Sequence, residues 1–433
     1  MDGLVDFVFS LTIAQIFGYF WPFFMLDMLR YVILETVLVL NYVLKKNREA
    51  PKRRQARHQL FFEKPLVSIL VPGKNEGHHI PKLIKSLDQQ TYKNVELIVV
   101  DDGSDDDTPI ICRQLQREGK IDKFIRNEIR GGKASAANTA LRNSRGKYIV
   151  HIDADSHLDK DALEKILLPF YLNANVGAVG GDVRVANSED SFCSRLQSIE
   201  YYKTISAGRT TSSELNILRI ISGAHGAFRR DLLERVEGWD VGPGLDGDIT
   251  LKIRKLGFDI VHQVDAVCYT NVPTSFRKLA KQRYRWDKSL VRFRLRKHLD
   301  VLKPQANFRG SNFASVLENI IFNVFFDIKW FVYFVVMLLT QPNYLGYIFV
   351  INYVLYFLAN CIQYVVMRVL VSDNFKQPDM LLPFFLPLMP LYTGVFLRIV
   401  RTYAYIMEFF HKTSYDDAWN PWKVSKVAKR ENL

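Results

Sequence analysis

Residues 66–103, LVSILVPGKNEGHHIPKLIKSLDQQTYKNVELIVVDDG, decide the fold. Residues 66–72 and 95–100 are short apolar runs dominated by Val, Ile and Leu. A half-exposed strand would alternate polar and apolar positions. These runs do not alternate, so both of their faces are expected to be covered, as in a parallel sheet flanked by helices. Residues 78–90 between them read as a helix, and a second helix is expected at 106–118. Residues 148–152 form a third strand pattern that runs into Asp153. This alternation predicts a doubly wound α/β sheet. Ligands of such sheets gather at the carboxyl ends of the strands. Asp101-Asp102-Gly103 and Asp153-Ala154-Asp155 both fall at such ends.

Outside this region the chain changes character. Its 433 residues carry a net charge of +13, and a mean hydropathy of −0.03 averages two materials. Residues 1–44 and 315–410 are rich in Phe, Leu, Ile, Val and Tyr, whereas 45–310 resembles a soluble domain. The expected organisation is therefore a membrane segment or segments at 1–45, a globular domain at 58–275, interfacial helices at 276–314, transmembrane segments at 315–410 and a basic tail at 411–433. In the C-terminal part, apolar stretches at about 315–339, 345–370 and 380–410 are interrupted by Asp327 and Lys329 in the first and by Pro383, Pro387 and Pro390 in the third. Lys45, Lys46, Arg48, Lys52, Arg53, Arg54 and Arg57 follow the first apolar stretch. Such juxtamembrane cations mark the cytosolic side and favour anionic lipid. The globular domain is expected there, with membrane lipid as a partner. No nucleic-acid motif accompanies the basic runs, so nucleic acid is not expected as a partner. Cys112, Cys193, Cys268 and Cys361 are widely spaced and expected to be free thiols.

The polar residues suit chemistry on a diphosphate. Asp153 and Asp155, two apart at a strand end, can hold a Mg²⁺ or Mn²⁺ ion. Asp101 or Asp102 can accept from a base N–H or a ribose hydroxyl. Gly131-Gly132-Lys133 opens a helix, so the backbone can approach a phosphate while Lys133 supplies charge. Asp246 follows the Gly242-Pro243-Gly244 turn and is a candidate general base, with Asp248 as the alternative. Gln282-Arg283-Tyr284-Arg285-Trp286 lies on an amphipathic stretch. Its arginines suit diphosphate oxygens and its indole suits the apolar face of a pyranose. His151, His157, His225 and His262 have no Ser or Cys partner pattern and are read as structural.

Seven motifs follow one another in order: VPGKNEG (71–77), VVDDGSDD (99–106), GGKASAAN (131–138), HIDADS (151–156), SGAHGAFRR (222–230), GLDGDITLKIRKLG (244–257) and QRYRW (282–286). Together they resemble the family 2 glycosyltransferases, specifically the membrane-embedded processive synthases. The chain looks most like poly-β-1,6-N-acetylglucosamine synthases, with chitin-oligosaccharide and hyaluronan synthases close behind. The resemblance implies a GT-A-like domain between N- and C-terminal transmembrane helices, placed as a multi-pass protein in a bacterial-type inner membrane. It implies an inverting, metal-dependent transfer from a UDP-sugar to a growing β-linked polysaccharide, coupled to export, with accessory envelope subunits as possible partners. Carried over residue by residue, Asn75, Glu76, Asp101, Asp102, Lys133 and Asp153 fall to substrate binding, and Asp153 with Asp155 to the metal. Asp246 falls to the base, and Gln282, Arg283, Arg285 and Trp286 to the diphosphate and acceptor. The alternatives are a cellulose- or hyaluronan-type donor, a non-processive transferase acting on a lipid-linked acceptor, and a catalytically idle scaffold.

Overall fold

The computed structural model describes residues 2–240, 244–303, 308–372, 377–415, 421 and 426. Gly242, Pro243 and the tail cations Lys423, Lys429 and Arg430 lie outside the described residues. The strands are β1 (Val67–Gly73), β2 (Val95–Asp101), β3 (Lys123–Arg126), β4 (Tyr148–His151), β5 (Ser156–Leu158), β6 (Val176–Val185), β7 (Gly226–Arg229) and β8 (Asp259–Thr270). They form one sheet in the order β3-β2-β1-β4-β7-β6-β8-β5. The first half, β3-β2-β1-β4, is parallel, as expected for a doubly wound fold. Beyond it β7 runs antiparallel to both β4 and β6, and β5 runs antiparallel to β8. The sheet is therefore mixed.

Both faces of the parallel half are covered, and this explains why its strands do not alternate. Val67, Ile69, Val71, Leu97, Val99 and Val150 point into one apolar layer. Leu70, Ile98, Val100 and Ile149 point into another, against Ala134, Ala137 and Ala140 of the helix Lys133–Arg142. The small side chains of that helix let it approach the sheet closely. The helices between strands occupy Ile80–Asp88 and Thr108–Arg117, slightly inside the expected limits.

Register brings the functional ends together. Gly73 pairs with Asp101 across β1 and β2, and Leu70 with His151 across β1 and β4. His151 also faces Gly226 at the start of β7, so the segment before β7 arrives beside the end of β4.

Among the described residues, three helical stretches are long and apolar enough to cross a membrane: Gly310–Thr340, Pro342–Leu370 and Asp379–His411. The prolines of the third fall in a 3₁₀ stretch, Gln377–Leu388, and in the short α-turn Met389–Leu391. Exposed Phe331, Val332, Val335 and Leu339 give the first an apolar outer surface. The N-terminal helices are less clearly apolar than expected. They run Asp2–Ser10, Ile13–Pro22, Phe23–Leu34 and Glu35–Arg48, and Asp27, Arg30 and Glu35 interrupt them. These charges are buried, and two have partners in the C-terminal region: Asp27 accepts from Tyr356 (2.5 Å) and Arg30 pairs with Glu318 (2.9 Å). The globular and apolar parts share a core of Val39, Ile199, Tyr202, Met367 and Met389. All four cysteines are free.

Candidate active site

The ends of β1, β2 and β4 deliver an acidic cluster. Asp153 follows β4, and the Lys133 ammonium at the first turn of its helix lies 2.5 Å from Asp153 Oδ1. Gly132, with φ +86°, lets the chain enter that helix. Asp155 accepts weakly from Ser156 (3.3 Å) and Thr270 (3.4 Å). Glu76, just past β1, completes the group. Burial, with Asp155 and Asp153 nearby, pushes the Glu76 carboxyl up to about 8. Burial and Asp153 push Asp155 to about 6. Asp153 itself lies below its usual range, because Lys133 outweighs its burial. Lys133 is raised, since Asp153 and Asp246 outweigh the effect of its own burial. Three carboxylates thus share one ammonium, and the excess negative charge fits a divalent cation. No group of three or more His, Cys, Asp or Glu side chains is arranged to enclose a metal among the described residues. The remaining ligands would have to come from diphosphate oxygens and water.

Gly223 is the point where the cluster meets the candidate base. Its N–H donates to Asp246 Oδ2 at 2.8 Å. A Cβ built on Gly223 would lie 2.8 Å from Asp246 Oδ1 and 3.0 Å from Lys133 Nζ. Lys133, Asp153 and Asp246 therefore converge on one spot. Buried His151 reinforces it: its Nδ1 donates to the Gly223 carbonyl at 2.6 Å, and its ring lies 5.5 Å from that of Trp239. Burial and Lys133 hold this imidazole below its usual pKa, so it is neutral and donates through Nδ1. One peptide is thus gripped from both sides. The sequence marked neither His151 nor Gly223 for this, because the partners lie 72 residues apart.

The alternative base is engaged elsewhere. Asp248 is buried, with Oδ1 2.7 Å from His298 and Oδ2 2.9 Å from Lys297. Those partners outweigh its burial and hold its carboxyl at about 2. Both aspartates sit in the first turn of the helix Leu245–Lys255. Gly244 (φ +86°) begins that turn, and a Cβ there would strike the side chains of Phe293 and Ser289.

Other sequence candidates hold the loops. Asp102 accepts from the N–H groups of Gly131 (2.9 Å) and Gly132 (2.7 Å) and from Asn127 (3.1 Å). It pins the glycine loop below Lys133. Asp101 is buried and accepts from the backbone N–H of Ser104 at 3.0 Å. Asn75, with φ +60°, donates through its N–H to Ser104 and accepts from the Asp105 N–H. Asp101, Asp102 and Asn75 thus shape the strand-end loops.

The quintet lies on the helix Phe276–Arg292 and divides between two environments. Arg285 is close enough to Asp153 to lower its pKa. Arg283 is not brought to the acidic cluster. It pairs with buried Glu200 at 3.0 Å and lies over the Trp286 ring at 4.5 Å. Trp286 remains 42% exposed. The amide oxygen of Gln282 is buried without a hydrogen-bond partner. His225 and His262 are buried in the core, as a structural reading expects.

Residues 68–237 match the family described as Glycosyl transferase family 2. The match ends before Asp246 and the quintet. A poly-beta-1,6-N-acetyl-D-glucosamine synthase of Staphylococcus epidermidis is 30% identical over 222 residues, 51% of this chain and 53% of the relative. One from Staphylococcus aureus strain COL is 27% identical over the same length. The chain thus spans about half the length of these curated relatives (53%). Among solved structures, a mannosyltransferase from Pyrobaculum calidifontis in complex with GDP-Man and Mn²⁺ matches 87% of this chain and 99% of its own, with TM-score 0.56. At 19% identity that likeness speaks to the fold. Residues 68–237 thus match the family 2 glycosyltransferases, and the region resembles that of the poly-β-1,6-N-acetylglucosamine synthases.

Proposed function

We propose that the chain is an inverting, processive synthase that transfers a sugar, N-acetylglucosamine, from UDP to a growing β-linked polysaccharide and passes the product across the membrane. The convergence of Lys133, Asp153 and Asp246 around Gly223 carries this reading. It sets a candidate base beside a cluster suited to a diphosphate. Three candidate membrane spans, built against the domain that holds the site, support the export half. The named activity of the staphylococcal relatives supports the sugar.

In the proposed reaction Asp246 takes the proton of an acceptor hydroxyl. The hydroxyl oxygen bonds to the anomeric carbon on the face opposite the diphosphate. The bond from that carbon to the diphosphate oxygen breaks, and UDP leaves with the electron pair. The Gly223 N–H keeps the Asp246 carboxylate aimed. Lys133 and Arg285, both near Asp153, would stabilise the charge that builds on the leaving group. A Mg²⁺ or Mn²⁺ ion held by Asp153 and Asp155 would supply further neutralisation of the diphosphate. Trp286 would receive the acceptor sugar. The domain would face the cytosol of a bacterial-type inner membrane, beside the juxtamembrane cations 45–57.

The test is purified protein in nanodiscs with Mn²⁺ or Mg²⁺ and a panel of radiolabelled UDP-sugars. Products are sized and digested with linkage-specific hydrolases. One donor yielding long β-linked product is the expected result. A single sugar added to a lipid would replace this reading with the non-processive one.

A further inference from the structure

We propose that Glu200 is a positioning residue for the acceptor: it fixes Arg283 behind the Trp286 indole, so that the exposed ring is presented to the glycan at a set height relative to the last membrane segment. The inference rests on the reading above that a glycan acceptor meets Trp286.

Glu200 lies in the last turn of the helix Phe192–Tyr201, outside every chemical motif of the sequence. It is buried, and its Oε2 receives two donors from different parts of the molecule. Arg283 Nη2 of the quintet helix donates at 3.0 Å. The Tyr392 hydroxyl, from the third candidate span, donates at 2.6 Å. One carboxylate oxygen thus ties together the glycosyltransferase domain, the amphipathic helix and a membrane segment.

The consequence falls on Trp286. Residues three apart on a helix are neighbours on its surface. The Arg283 guanidinium lies 4.5 Å from the Trp286 ring centroid and 5.7 Å from that of Tyr201. A cation on one face of an indole holds the ring in place. The 42% exposure of Trp286 leaves ring surface for the apolar C–H face of a sugar. Arg283 and Glu200 are nearly enclosed, with side chains 12% and 9% exposed. Removing the carboxylate would leave a buried cation without its counter-ion. Arg283 would then turn towards water, and the indole would lose its backing. A merely structural ion pair would weaken folding without singling out the acceptor.

The experiment is isothermal titration of full-length protein in nanodiscs with a β-1,6-linked N-acetylglucosamine hexamer, a β-1,4-linked hexamer and, separately, UDP. Glu200→Gln keeps the shape and removes the charge. It is expected to raise the Kd for the preferred hexamer by about tenfold, the loss of roughly one cation–π contact, with UDP affinity unchanged. Trp286→Ala is expected to weaken the hexamer similarly, and the double variant no further than Trp286→Ala alone. Unchanged hexamer binding in Glu200→Gln, equal loss of hexamer and UDP, or additive losses would overturn the inference while leaving the proposed function standing. A wild-type protein that binds neither hexamer would overturn both. Should Glu200→Gln fail to fold in thermal melting, Tyr392→Phe, which lacks one hydroxyl, carries the test. A Kd raised by about threefold for the hexamer alone supports the inference, and no change overturns it.

Discussion

At the scale of single residues, Gly223 carries more of the site than its lack of a side chain suggests. Its N–H holds Asp246, and its carbonyl is held by His151. The space where a Cβ would stand is already occupied by Asp246 and Lys133. Gly223→Ala is therefore expected to displace the carboxylate and the ammonium without disturbing the sheet. Sugar incorporation should fall by about 10²-fold or more, the usual contribution of a well-placed base, while thermal melting stays near wild type. Wild-type incorporation by the alanine variant would refute the convergence. The two neighbouring aspartates should separate in the same assays. Asp246→Asn is expected to cost ~10²–10⁴-fold in turnover and little stability. Asp248→Asn should do the reverse, because it removes a buried charge from Lys297 and His298. The carboxyl of Asp248 lies at about 2 in the folded protein, against about 3.9 unfolded. Its stabilisation is thus present above about pH 4 and is lost as pH falls towards 2. In acid unfolding, the difference between wild type and Asp248→Asn should shrink across that window.

At the scale of elements, the acidic ends of β1 and β4 make a further prediction. Glu76 is raised to about 8 by burial with Asp155 and Asp153 nearby, and Asp155 to about 6 by burial and Asp153. A carboxyl whose folded pKa is raised stabilises the fold most when protonated, and that contribution fades as pH rises through the folded value. A divalent cation competes with those protons and gains affinity over the same range. The rise in melting temperature on adding Mn²⁺ should therefore be larger at pH 8 than at pH 5.5, and Asp155→Asn should reduce it. An equal rise at both pH values would argue against a cation among these carboxylates. The same elements show what the chain discloses in one dimension. β1, β2 and β4 were legible because strands buried on both faces are continuous apolar runs, and the acidic motifs were legible because they follow those runs directly. The mixed half was not. Residues 176–185 are buried throughout, but Gly177, Gly180, Gly181, Asp182 and Arg184 break the apolar run that would have marked β6. Asp182 and Arg184 are accommodated by pairing with each other at 2.9 Å, a feature that only the folded chain reveals. Within the quintet, sequence put both arginines on the diphosphate. Which of them turns to Glu200 depends on a helix that packs from 83 residues away.

At the scale of the whole molecule, charge binds the apolar segments to one another and to the domain. In the sequence Asp327 interrupts the first C-terminal apolar stretch. In the fold it is 2% exposed and braced by Arg398 at 3.0 Å and Arg401 at 3.3 Å from the third candidate span. Arg219 of the domain reaches Glu318 at 2.7 Å, and Glu318 also holds Arg30 of the N-terminal helices. Such pairs contribute little when both partners are replaced together by well-packed apolar groups, but removing one member strands the other. Asp327→Ala takes from Arg398 and Arg401 the carboxylate they share and is expected to cost about 3–5 kcal/mol. The triple variant Asp327→Ala with Arg398→Leu and Arg401→Leu should recover much of that loss. Thermal unfolding in detergent, followed by the fraction that stays monodisperse after heating, checks the order: wild type highest, triple variant between, Asp327→Ala lowest. If the single variant melts with wild type, the three residues do not hold the first and third segments together.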